Sequence, residues 1–159
     1  MSRPLRLSLW ALIILLMLGV LLVAGLILPL VAFQTAESNP EFAYLTWPLL
    51  ITLWVACAAA IVALTSAARL VERAASGRLL TGGTQFPLRV AIGAFALMAA
   101  VFLGLNAVLT LVVQQNHPSI FLALTGLGLI CATAALALVA AAGQVAQAAA
   151  LADEVEAFV

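Results

Sequence analysis

The stretch RLVERAASGRLLTGGTQFPLR, residues 69–89, holds four of the chain's six basic residues (Arg69, Arg73, Arg78 and Arg89) and divides its apolar mass in two. Two long apolar runs lie on each side, and the remaining arginines, Arg3 and Arg6, sit in a short N-terminal head. Hydrophobic residues make up 67% of the chain and charged residues 8%, against about 45–50% and about 25% in soluble domains. That composition excludes a water-soluble fold. A hydrocarbon core about 30 Å thick takes about 20 apolar residues per crossing, so 159 residues hold four crossings and little else. The formal net charge is zero and lysine is absent, which leaves no basic surface for direct nucleic-acid binding.

Working back from Arg69, a second span covers about residues 47–69, with Pro48 in its first turn, where a missing N–H costs nothing. Arg69, Glu72, Arg73 and Ser76 recur at steps of three and four, with Leu70, Val71, Ala74 and Ala75 between them. The spacing predicts a helix that continues about two turns past the membrane, with Gly77 just beyond its end. Residues 34–45 lack Lys and Arg, carry Glu37 and Glu41, and read as an outer loop. Asn39-Pro40 is a turn signal, and Phe42, Tyr44 and Trp47 form an aromatic cluster suited to the headgroup level. The apolar run from Leu7 to Phe33 exceeds the roughly 7 to 15 residues of a secretory core and lacks a small-residue cleavage site. It is read as an uncleaved first span over about residues 8–33.

Downstream, Thr81-Gly82-Gly83-Thr84 is a connector, and Pro87 restarts a helix that gives a third span over about residues 88–113. Ala96, Ala100 and Gly104 form a small-residue stripe that suits close approach of a neighbouring helix. Asn106 and Thr110 are the most polar pair within any span, and both hydrogen bonding inside the bundle and contact with a ligand or ion stay open for them. Residues 114–118 are a second outer loop without Lys or Arg, in which His117 lacks companions at metal-ligand spacing and is read as a solvated side chain, with pH sensing as the alternative. A fourth span, about 119–142, carries Thr125, Gly128, Ala132 and Ala135 as another small stripe. Such stripes fit packing within one bundle or between copies in a homo-oligomer. Residues 143–159 follow as a helical acidic tail with Asp153, Glu154 and Glu156. Cys57 and Cys131 lie in apolar runs without CxxC or His/Cys spacing and are read as core residues.

Arginine alternates cleanly by segment: two in the head, none in the first outer loop, four in the central stretch, none in the second outer loop. The positive-inside bias then places both termini and the central stretch in the cytosol. The expected fold is an all-α integral membrane protein, four transmembrane helices in an antiparallel bundle, with helices 2 and 4 extending into the cytosol. Halves 1–79 and 80–159 read alike, as in a duplication. A cytosolic contact face is expected from Arg69, Glu72, Arg73, Arg78, Asp153, Glu154 and Glu156, with one of the acids Asp153, Glu154 or Glu156 meeting Arg69, Arg73 or Arg78 at the membrane surface. No span holds a deep Asp, Glu, Lys or Arg, which disfavours an ion-coupled pump. Paired carboxylates, a nucleophile with its base and a metal-ligand set are all missing from the sequence, so no enzyme, cofactor or metal is expected.

The segment Glu37-Ser38-Asn39-Pro40-Glu41-Phe42-Ala43-Tyr44-Leu45, followed by Trp47-Pro48-Leu49-Leu50, resembles the bacterial four-helix membrane family called domain of unknown function 2975 (YoaS-like). The resemblance extends to Arg69-Leu70-Val71-Glu72-Arg73 with Gly77-Arg78 and, loosely, to the tail from Gln144 to Val159. Its most specific residues are Asn39, Pro40, Glu41, Phe42 and Tyr44. Leu79-Leu80-Thr81-Gly82-Gly83 departs from the phenylalanine-serine type connector of relatives, whose lysines are also missing here. The family has no established activity, and its members are often encoded beside a small helix-turn-helix regulator. The resemblance implies a component of the bacterial cytoplasmic (inner) membrane that holds or signals to a cytosolic transcription factor. The resulting expectation is a non-enzymatic regulator or sensor, with membrane lipids around it. The alternative is a lipid- or small-molecule-binding membrane protein or transporter subunit using Asn106, Thr110 and the outer aromatic loop.

Reporter fusions check the orientation. A periplasmic reporter should be active at Glu37 and a cytosolic one at Gln85; an external Gln85 refutes it.

Overall fold

The computed structural model describes residues 3–76, 84–114 and 117–157, with side chains through Leu151. These residues are helical almost throughout: α1 (Arg3–Ser38), α2 (Thr46–Ala75), α3 (Gln85–Val113) and α4 (Pro118–Ala157). A short 3-10 helix, Pro40–Leu45, joins α1 to α2. Each of the four is long and apolar enough to cross a membrane, the number expected from the sequence. Helices are the form that lets such apolar segments satisfy every backbone group within themselves.

The helices pack in chain order, and α3 is the centre, lying against α2 and α4, while α1 lies along α2. Along each contact, numbering falls on one helix as it rises on its neighbour. Trp54 and Trp47 of α2 meet Ala24 and Phe33 of α1. Asn106 and Leu103 of α3 meet Thr125 and Gly128 of α4. The core joins Ala59 and Ala63 of α2, Ala94, Met98 and Ala99 of α3, and Cys131 of α4, with Phe95 and Phe102 packed around them. Small side chains let backbones approach closely, and in lipid that contact replaces the hydrophobic gain that tails already supply.

Several boundaries differ from the sequence reading. Residues 34–45 are not an open loop: α1 runs on to Ser38, and Pro40–Leu45 is itself helical. Asn39 makes the break, at φ −135° and ψ 77°, just before proline, which disfavours helix in the residue ahead of it. The fourth span and the tail are one helix through Gly143, continuous as expected of a helix 4 that extends beyond its span. At 40 residues it is about 60 Å long, roughly twice the hydrocarbon thickness. Helix α2 ends at Ala75, and the Ser76 N–H closes on the Glu72 carbonyl at 3.0 Å, as the polar spacing predicted. The connector from Gly77 to Gly83 lies outside the described residues.

The two small-residue stripes part company. On α4, Gly128 and Ala135 are buried and Ala132 is half-buried. On α3, Ala96, Ala100 and Gly104 are exposed, and the face that packs is Ala91, Ala94, Met98 and Leu105. The α3 stripe therefore lies off the face that packs within this bundle. Helix α3 is apolar on all sides, so small residues mark no unique direction until its neighbours are placed.

Gly128 is the tightest point. A Cβ there would lie 2.6 Å from Leu103 Cγ, whereas one at Gly126 meets nothing within 4 Å. Gly128→Ala should lower stability by about 1 to 3 kcal/mol through overpacking, read from unfolding in mixed micelles. Gly126→Ala should be neutral, and Leu103→Ala should restore the Gly128→Ala protein.

Candidate functional site

The structure offers three polar regions: a cap at the α1–α2 end, one buried amide between α3 and α4, and the last turns of α2.

At the cap, Asn39 ends α1 by directing both its backbone N–H (3.0 Å) and its side-chain amide (3.3 Å) at the Thr35 carbonyl. The Asn39 carbonyl then accepts the Phe42 N–H at 3.0 Å and opens the 3-10 turn, with Pro40 at its first position. Glu41 lies in that first turn, where free N–H groups favour a carboxylate. Phe42 is half-buried and Tyr44 is 70% exposed. The aromatic cluster expected from Phe42, Tyr44 and Trp47 forms differently: Trp47 pairs edge-to-face with Phe33 of α1, centroids 5.9 Å apart at 80°. That pair ties the end of α1 to the start of α2, while Tyr44 projects outward.

Between α3 and α4, the buried Asn106 donates from Nδ2 to Thr125 Oγ1 at 2.8 Å. Thr110, its sequence-level companion, is exposed on the π-helical turn Leu109–Val113 that closes α3. Thr125 drew notice in the sequence as a small residue; its use as a hydrogen-bond partner needs the register between two helices. On the opposite side of α3, an apolar groove of about 280 Å³ opens between Pro48, Leu49 and Thr52 of α2 and Ala100, Gly104 and Val108 of α3. The Thr52 hydroxyl is turned back to the Pro48 carbonyl at 2.7 Å, so it offers the groove little polarity. Two of the stripe residues expected to pack, Ala100 and Gly104, line this groove instead.

On the last turns of α2, Arg69 and Glu72 are exposed and Arg73 is half-buried. Arg78 lies outside the described residues, as do the side chains of Asp153, Glu154 and Glu156 on the far end of α4. The pairing expected between those acids and the arginines falls outside the description for the same reason. His117, read as a loop residue, caps α4: its carbonyl accepts the Phe121 N–H at 3.0 Å, and its Nδ1 lies 2.8 Å from the Ser119 hydroxyl. Cys57 and Cys131 are free thiols, the first half-buried and the second in the core. Among the described residues, no three His, Cys, Asp or Glu side chains gather as metal ligands would.

One contact of consequence went unseen in the sequence. Trp54 of α2 donates from Nε1 to the Ala24 carbonyl of α1 at 2.8 Å. Pro29 was the available signal, because a proline inside a span frees a carbonyl that needs a donor from elsewhere.

The described residues form four helices long and apolar enough to cross a membrane, and that defines the class. Residues 30–159 match the family described as Protein of unknown function (DUF2975), and the chain belongs to that family. The matched part takes in the end of α1, the cap and all of α2, α3 and α4. No curated protein and no solved structure matches the chain.

A double-mutant cycle tests the buried amide. Asn106→Leu and Thr125→Val should each destabilise the protein, with a coupling of about 0.6 to 1.7 kcal/mol, the range of interhelical hydrogen bonds in lipid.

Proposed function

We propose that this protein is a non-enzymatic membrane regulator or sensor that crosses the bacterial cytoplasmic membrane four times, with both termini in the cytosol. Its contact surface for a cytosolic partner is the projecting end of α2, with the far end of α4 beside it. The single observation that carries this reading is the exposure of Arg69 and Glu72 on a helix that continues past its apolar part. Exposed charge of both signs on a rigid helical stub suits recognition of a folded protein, where electrostatic complementarity sets partner choice. Arginine clustering at this end and its lack in both outer segments support the orientation. A helix-turn-helix transcription factor is the partner class proposed, held at the membrane surface or released from it. The acidic residues Asp153, Glu154 and Glu156 would compete with that partner for the arginines.

The groove between α2 and α3 favours a second reading, a lipid-binding protein. Its lining is apolar and suits an acyl chain, while the Asn106 amide is engaged on the other side of α3 with Thr125.

Crosslinking in native membranes followed by pull-down decides between them. The regulator reading expects a helix-turn-helix protein in the eluate, lost when Arg69 and Arg73 are both changed to Glu. Recovery of lipid alone, unchanged by that double reversal, favours the second.

A further inference from the structure

Helix α1 contains a π-helical turn at Val23–Ile27, in which the Leu28 N–H reaches the Val23 carbonyl. In an unbroken α-helix that N–H would serve Ala24, four residues back. In the wider π register, the donor for Ala24 would be the next residue, and that residue is Pro29, which has no N–H. Both backbone donors that could serve the Ala24 carbonyl are thus removed, one by the turn and one by the proline. The Trp54 indole N–H fills the position at 2.8 Å.

We infer that Val23–Ile27 is a hinge in α1 and that Trp54 is the latch that holds it. Three further observations fit. The exposed face of α1 is apolar, and its packing runs along α2 alone among the helices it touches closely, so a bend in α1 disturbs no other interface. The bond joins residues 30 apart in sequence on two different helices, so opening it costs no local chain geometry. Trp54 itself is 40% exposed, so its ring is not locked in a core and has room to swing away.

With the latch closed, the outer part of α1, which carries Phe33, is fixed on α2 and sets where the Pro40–Leu45 turn begins. With it open, the Ala24 carbonyl has no donor in lipid, and α1 must change its bend to shield or hydrate it. The inference concerns this chain's own mechanics and does not depend on the regulatory reading.

The test uses the full chain in lipid nanodiscs, with Cys57 and Cys131 replaced by Ala and spin labels at Leu7 and Val31. These two positions flank the turn and are 70% and 54% exposed. Trp54→Phe keeps a ring and removes the donor; it should broaden or shift the label distance distribution. It should also lower the folded-to-unfolded ratio about threefold to tenfold, as expected for a lost interhelical hydrogen bond. Pro29→Ala supplies a backbone N–H, so in that background Trp54→Phe should leave both readouts nearly unchanged. An unaltered distance distribution in Trp54→Phe overturns the latch. So does an equal effect of Trp54→Phe in both backgrounds, or failure of both the single and the double variant to fold.

Discussion

A backbone carbonyl or amide in hydrocarbon finds no water, and leaving one unsatisfied costs several kcal/mol; in a bilayer, several polar side chains of this chain are arranged to avoid that cost. Ser8, Thr35, Thr52, Ser66 and Thr133 each turn their hydroxyl back onto the carbonyl four residues earlier in their own helix. Such side chains add no link between helices. Trp54 joins α2 to α1, and Asn106 joins α3 to α4. Each of these pairs of helices thus has a hydrogen bond that fixes its register.

The middle interface, α2 on α3, is held differently. Ala59, Ala63, Ala94 and Ala99 put little side chain between the two backbones. Between helices in lipid, apolar area is not withdrawn from water, so closeness of contact carries the association. That explains why alanine, which buries little surface, dominates the core of a chain rich in exposed leucine. It also explains why one added methyl at Gly128 matters when one at Gly126 does not, since only the first meets a neighbour.

Span count, the break at Asn39-Pro40 and the overrun of α2 to Ala75 were legible because each rests on local rules: apolar length, proline stereochemistry and helical spacing of charge. The inward face of α3 was not legible. Soluble helices advertise their buried face by contrast with a polar one, and α3 has no polar face along most of its length, so the stripe Ala96, Ala100 and Gly104 did not tell which face meets its neighbours, and Ala91, Ala94 and Met98 pack within the bundle. Helical continuity beyond residue 33 was missed for a related reason. Gln34, Thr35, Glu37 and Ser38 look like loop by polarity, yet Thr35 and Ser38 satisfy their hydroxyls on the preceding turn and leave the helix intact. Partners distant in sequence, Thr125 for Asn106 and Ala24 for Trp54, depend on the register between helices, which no local pattern encodes. The family resemblance lay in the cap, where Asn39, Pro40 and Glu41 have local structural duties, and those duties are enough to account for a recognisable motif without any chemistry.

Helix α2 runs from the cap past the α1 turn and the core to the charged end. Its first turns carry Trp47 against Phe33, its middle carries Trp54 on the α1 turn and Ala59 and Ala63 in the core, and its last turns carry Arg69, Glu72 and Arg73. Between Thr46 and Ala75 it has no glycine, and its proline stands near the start, where a helix tolerates it. A helix of 30 residues, about 45 Å long and free of kink-forming residues, moves as one body. A tilt imposed at its Thr46 end, as the hinge inferred in α1 would impose, would displace the charged turns at the other end without any chain of intermediate side chains. The opposing constraint is the alanine contact with α3, which is close and tolerates little sliding, so α2 can rotate about that contact more readily than it can separate from it. Motion of the charged turns is then a lever arm set by the distance from Ala63 to Arg73, nearly three helical turns by the helix repeat, and not by any change within α2 itself.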